Sequence, residues 1–267
     1  MTDAYTLPFE PTEQPKRRRR LWPWIVTLII VLVLIGSAAF GAEWLARGAV
    51  TGGIRTLVVS QVGLPADQPV DVEVPGLVIP QLISGTLDEV TIASDDVTFG
   101  ELSGDVRVTI TDMPIRADAA AGPGTATVRL DETQLRALLS TIDGFPADAA
   151  GIAAPDVTVS TELSLFGVGI PVGIALLPAA GSAGDLTLTP SSFTAGGVEL
   201  TADALRQQFG GLADTVLRTW NVCIAQYLPS ALTLTSVSVE GAEVVADFDI
   251  DGAVVVDPLL RQNGTCG

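Results

Sequence analysis

The sequence predicts an α+β fold in which long antiparallel strands dominate, a few amphipathic helices accompany them, and one transmembrane helix comes first. Three observations carry this. Apolar and polar residues alternate with period two in segment after segment, which gives each strand one dry face and one wet face. Two segments switch to the three-and-four spacing of a helix. Near the N-terminus an uncharged run at 21–42, LWPWIVTLIIVLVLIGSAAFGA, is long enough as a helix to cross a hydrocarbon core about 30 Å thick.

Charge divides the 267 residues at that run. Residues 1–20 hold Lys16, Arg17, Arg18, Arg19 and Arg20 against three acids, have no apolar period, and read as a disordered tail. Residues 43–267 hold nine arginines, no lysine and 28 acids. A basic cluster directly before an apolar span stays cytoplasmic, and Trp22 and Trp24 sit where interfacial aromatics belong. The expected protein is therefore single-pass in the cell membrane, with its N-terminus cytoplasmic and residues 43–267 extracytoplasmic. Ser37, Ala38 and Ala39 keep open a second reading, cleavage of a signal peptide and secretion. Both readings export the main domain. In that oxidising setting Cys223 and Cys266 are expected to form a disulfide.

The elements follow in order. Residues 44–61 read as a helix with Val50, Ile54, Leu57, Val58 and Gln61 on one side, weakened by Gly48, Gly52 and Gly53. Val70, Val72 and Val74 then alternate with Asp71 and Glu73. A short apolar segment at 77–83 carries Leu77, Val78, Ile79, Leu82 and Ile83 between Pro75 and Gly85, and is either a lid touching lipid or a plug in the core. Alternation returns at Val106, Val108 and Ile110, at Ala126, Val128 and Leu130, and at Val157, Val159, Thr161, Leu163 and Leu165. Residues 168–180 are apolar on both faces, Leu186 and Leu188 continue the series, and Val244, Ala246, Phe248 and Ile250 close it. Such alternation marks antiparallel sheet. Asp131 with Gln134 three residues on predicts a capped helix bearing Leu135, Leu138, Leu139 and Ile142. A second helix is expected from Thr201, with Leu205, Phe209, Leu212, Val216 and Trp220 on one stripe.

The chemistry is mostly exclusion. The absence of histidine removes the usual triads and histidine-held metals, and two cysteines cannot make a four-thiolate site. An acidic balance argues against duplex nucleic acid. Asp247, Asp249, Asp251 and Gly252 match the opening of a calcium loop, but position twelve is Pro258, so the acids read as the wet face of a strand. The pairs Asp88–Glu89 and Asp95–Asp96 point to opposite faces of a strand and make no acid–base pair. No catalytic residue, cofactor or metal is expected; what remains is apolar surface in unusual supply.

The stretch GLVIPQLISGTLDEV at 76–90, after the Glu43-Trp44-Leu45-Ala46 helix start and the alternating valines, resembles the LmeA-like family of actinobacterial cell-envelope phospholipid-binding proteins. Leu228-Pro229, the run from Leu232 to Val239 and the terminal hairpin support it. Where that family has a Pro-Phe-Leu-like core, this chain has Leu77-Val78-Ile79-Pro80. The resemblance implies a tubular lipid-binding-like fold, a long curved antiparallel sheet wrapped around helices, and non-catalytic binding, with or without transfer, of a phospholipid or related envelope lipid in an apolar groove. On that reading the lining candidates are Leu77, Val78, Ile79, Leu82, Ile83, Leu135, Leu138, Leu139, Leu205, Phe209 and Leu212. Arg107, Arg116 and Arg129 are candidates for a headgroup phosphate. The alternative is an exported interaction protein with a dry core and no lipid.

Overall fold

The computed structural model describes residues 22–65, 67–99, 102–116, 118–140, 147–165, 168–182, 184–211 and 217–266. The chain divides into two compact units, residues 1–44 and 45–267, each described by itself. Helix α1, Trp22–Val62, is one element, so the expected second helix at 44–61 is a continuation of the first. The three glycines lower helix propensity, but no proline falls between Trp24 and Pro65 to end the ladder. In the first unit the side chains from Trp24 to Phe40 are exposed, and the helix is long and apolar enough to cross a membrane.

The second unit holds two antiparallel sheets. Six strands form the first: β1 Asp71–Glu73, β2 Thr86–Phe99, β3 Leu102–Pro114, β4 Gly124–Leu130, β11 Leu232–Glu240 and β12 Glu243–Ile250. Their order is β1-β2-β3-β4-β12-β11. The second sheet contains β5 Ala150–Ala153, β6 Asp156–Leu165, β7 Val168–Ala180, β8 Leu186–Ala195 and β10 Trp220–Val222, ordered β10-β8-β7-β6-β5, with β9 Val198–Thr201 also on β8. The helices are α2 Val78–Ser84, α3 Glu132–Ser140 and α4 Ala202–Phe209. The α+β class and the antiparallel pairing match the sequence reading. Two sheets stand in place of one, because β5 to β10 are inserted in the chain between β4 and the β11–β12 hairpin, whose β12 is its sheet neighbour.

One local expectation is corrected. The helix from Thr201 starts as read, with Thr201 Oγ1 accepting from the Ala204 N–H at 3.2 Å, but it does not reach Trp220. It ends at Phe209, where Gly210 turns to φ +52°, and Trp220 lies in β10 opposite Leu188. Glycine costs a helix about 1 kcal/mol per residue, and Trp220 is taken by the ladder on β8 instead. Leu212 and Val216 lie outside the described residues, as do Ile142 and residues 1–20. Strand β2 carries no clean alternation, because its register shifts between Ser94 and Val97, and Asp96 takes φ +52° at that bulge.

Candidate functional site

Pairing register joins the separate alternations into one surface. Val72 lies opposite Ile92, Ile92 opposite Val108, Val108 opposite Ala126, Ala126 opposite Phe248 and Phe248 opposite Leu234. One apolar row therefore crosses all six strands of the first sheet. The adjacent row is polar throughout: Glu73, Thr91, Thr109, Thr125, Asp249 and Thr233. Since neighbours along a strand face opposite ways, the sheet has one greasy face and one wet face.

The greasy face is covered unevenly. At the β1–β2 side, Val74, Val78, Leu87 and Val90 form a buried cluster on which Ala46, Val50 and Ile54 of α1 pack. At the β11–β12 side, Leu234, Phe248 and Ala126 are buried, with Ala180 and Leu186 of the second sheet against them. Between those two caps, Val106, Val108 and Ile110 of β3 and Val128 and Leu130 of β4 are only half-buried. Central strands of a closed sandwich would bury such side chains completely. Here Val108 and Val128 pack against the second cluster, and the five side chains together make an apolar face that is incompletely covered. An acyl chain laid on it would gain about 0.8 kcal/mol per methylene removed from water.

The lining candidates are distributed among separate places rather than along one wall. Leu135 is buried with Val157 and Val244, with Leu139 packed against them, and Leu138 is half-buried. Leu205 packs on Ala202 and Leu217 beside Phe193 of the second sheet. Phe209 is the last residue of α4. The short apolar segment is divided, residue by residue, between core and surface. Val78 is fully buried and Ile79 half-buried, whereas Leu77, Leu82 and Ile83 are exposed. Sequence reasoning did not single out the β3–β4 floor as lining. Its signal was the alternation itself, but register alone shows that the valines share a row.

Polar groups hold the α2 segment in place. The Gln81 side chain is buried; its Nε2 donates to Pro75 O at 2.8 Å and its Oε1 accepts from the Asp88 N–H at 3.0 Å. Arg47 donates to Val74 O and, at 2.6 Å, to Gly76 O. An open cleft of about 380 Å³ beside Arg47 is walled by Thr51, Val72, Glu73, Pro75, Glu89 and Thr91. A phosphate brought there would meet two carboxylates, so the cleft does not suit an anionic headgroup.

The three arginines are not brought together. Arg107 is exposed on β3, opposite Ala93 and Thr127 and therefore on the wet face. Arg129, on the same face, lies 3.3 Å from Glu240 and 3.4 Å from Glu243. Its guanidinium is held above the usual arginine range, first by the hydrogen bond to Glu240 and then by Glu243. Arg116 is exposed just past β3, next to Ile115.

The calcium-like acids belong to a strand and a turn. Asp247 accepts from Thr127 Oγ1 and Ser236 Oγ, both at 2.7 Å, and Asp251 accepts from the Ala253 N–H at 2.9 Å. A Cβ at Gly252 would come within 2.2 Å of two carbonyl oxygens, so glycine there serves close chain approach. Among the described residues no group of three metal-ligating side chains gathers. Asp96 accepts from Gln134 Nε2 at 3.0 Å, fixing α3 to the β2 bulge. Cys223 and Cys266 form a disulfide, the pairing expected from the sequence.

No curated protein and no solved structure matches the chain. Residues 38–249 match the family model described as LmeA-like phospholipid-binding. The match takes in α2, strands β1 to β4 and nearly all of β12. The chain is a member of the LmeA-like phospholipid-binding family.

Proposed function

We propose that residues 43–267 are an extracytoplasmic domain that holds a phospholipid or related envelope lipid, without catalysis, with its acyl chains on the β3–β4 floor. In this reading residues 21–42 cross the cell membrane and leave residues 1–20 in the cytoplasm. The observation that carries it is the half-burial of Val106, Val108, Ile110, Val128 and Leu130 between two buried caps. Family membership supports lipid as the guest. The basic tail and the disulfide support the orientation. Of the three arginines, Arg116 is the headgroup candidate this reading retains, because Arg107 and Arg129 lie on the wet face.

Native mass spectrometry of the full chain, extracted in mild detergent, tests this. The expected spectrum carries adducts of intact phospholipid mass. A Val106→Trp variant, which fills the floor with a larger side chain, is expected to lose most of them while keeping the same circular dichroism. Bare polypeptide from the unmodified chain supports the dry-core alternative, and lysolipid adducts would show catalysis. The polypeptide mass also reads whether the chain keeps its first 39 residues or has been cleaved after Ala39.

A further inference from the structure

Four large apolar side chains gather at one end of the first sheet and stand open to the surroundings. Ile83 is 82% exposed, Leu77 64%, Ile115 45% and Leu82 38%. Backbone contacts bring them together. Gly85 closes α2 in the left-handed conformation, and its carbonyl accepts from the Ile115 N–H at 3.1 Å.

Three further features separate this tip from an ordinary wet loop. It is uncharged from Val74 to Leu87, in a body that holds 28 acids. Its polar groups are turned inward: Gln81 takes Pro75 O and the Asp88 N–H, the Gln81 carbonyl takes the Gly85 N–H and the Ser84 hydroxyl, and Arg47 takes Val74 O and Gly76 O. Internal satisfaction of backbone groups is what hydrocarbon demands and water does not. Finally, Arg47 lies five residues past Ala42, the last residue of the uncharged run. Five residues reach at most about 18 Å when fully extended, so connectivity keeps the root of the tip near the bilayer.

We infer that this tip is a membrane-contact element. Leu77, Leu82, Ile83 and Ile115 enter the outer leaflet of the bilayer that α1 spans, with Arg116 at headgroup depth. The inference rests on the reading of α1 as an anchor, and not on the trough holding a lipid. A bilayer is favoured over a second copy of the chain on charge. Two copies meeting at their tips bring two acidic bodies together, whereas the tethered bilayer is present at high effective concentration.

The test is spin-label depth measurement on the full chain reconstituted in vesicles of three parts phosphatidylcholine to one part phosphatidylglycerol. Single labels are placed by Leu77→Cys, Ile83→Cys, Leu34→Cys in the span and Val198→Cys on the exposed β9, leaving the native disulfide unreactive. Labels at 77 and 83 are expected to show a several-fold higher oxygen-to-nickel collision ratio than the label at 198, approaching the label at 34. Water-like ratios at 77 and 83 with a hydrocarbon ratio at 34 overturn the insertion and leave the anchor standing. Water-like ratios at all four positions overturn both. Spin–spin broadening at 83 that grows with protein density assigns the patch to a second copy and also overturns it. Lipid adducts measured on the same variants report on the trough separately.

Discussion

Gln81 shows how one polar side chain can organise an apolar segment. It is buried, and both ends of its amide are used, one on the chain before α2 and one on the chain after it. Gln81→Leu keeps the volume but leaves Pro75 O and the Asp88 N–H unpaired. Loss of about 2 kcal/mol is expected, read as a lower urea midpoint for the detergent-solubilised chain. Asp247 is the second such residue. Ser236 first and Thr127 second hold its carboxyl below the usual carboxylate range, Arg129 adds to this, and burial opposes it. A carboxyl lowered in the folded state contributes stability above its unfolded value near 3.9, and that contribution fades as pH falls through the folded value. Asp247→Asn should therefore cost about 1 kcal/mol at pH 7, and the gap to the native chain should narrow by pH 3 in paired urea titrations. The sequence showed Asp247 as one acid of an alternating strand. Its partners come from β4 and β11, which only folding brings alongside.

Elements were legible where their signals are local. The cap of α3 is one: Asp131 Oδ1 accepts from the Gln134 N–H at 2.7 Å while Gln134 Oε1 accepts from the Asp131 N–H at 3.0 Å. This reciprocal box was readable from two residues three apart. Asp131→Ala should cost about 1 kcal/mol, with the loss visible as earlier hydrogen exchange at the first turn of α3. The end of α4 was less legible, because whether a Gly-Gly pair is crossed depends on what waits beyond it, and β8 supplied a ladder for Trp220. In β2 one inserted residue at the bulge flips the side-chain parity, so Val90 and Val97 obscure the pattern although both are buried. The apolar row was legible only in pieces. Each valine was visible on its own strand; the row from Val72 to Leu234 is a property of register.

At the scale of the whole molecule, the C-terminal hairpin is tied down twice. β12 pairs along the full length of β4, and the disulfide joins Cys223, just after β10, to Cys266 across 43 residues that include β11 and β12. Constraining a loop of that length in the unfolded chain contributes about 4 kcal/mol on the chain-entropy account. The Cys223→Ser/Cys266→Ser double variant, or reduction of the native chain, should lower the thermal midpoint by several degrees while leaving strand content unchanged in the folded baseline.

The insertion of the second sheet between β4 and β12 has a consequence for how this protein is made. Leu130 pairs with Val244, more than a hundred residues further along, so β4 keeps a bare flank until β12 has been synthesised. An emerging portion that stops short of β12 cannot complete the first sheet by itself. Assembly is thereby ordered by topology: the hairpin of β11 and β12 shuts the first sheet only after every strand of the second has been made.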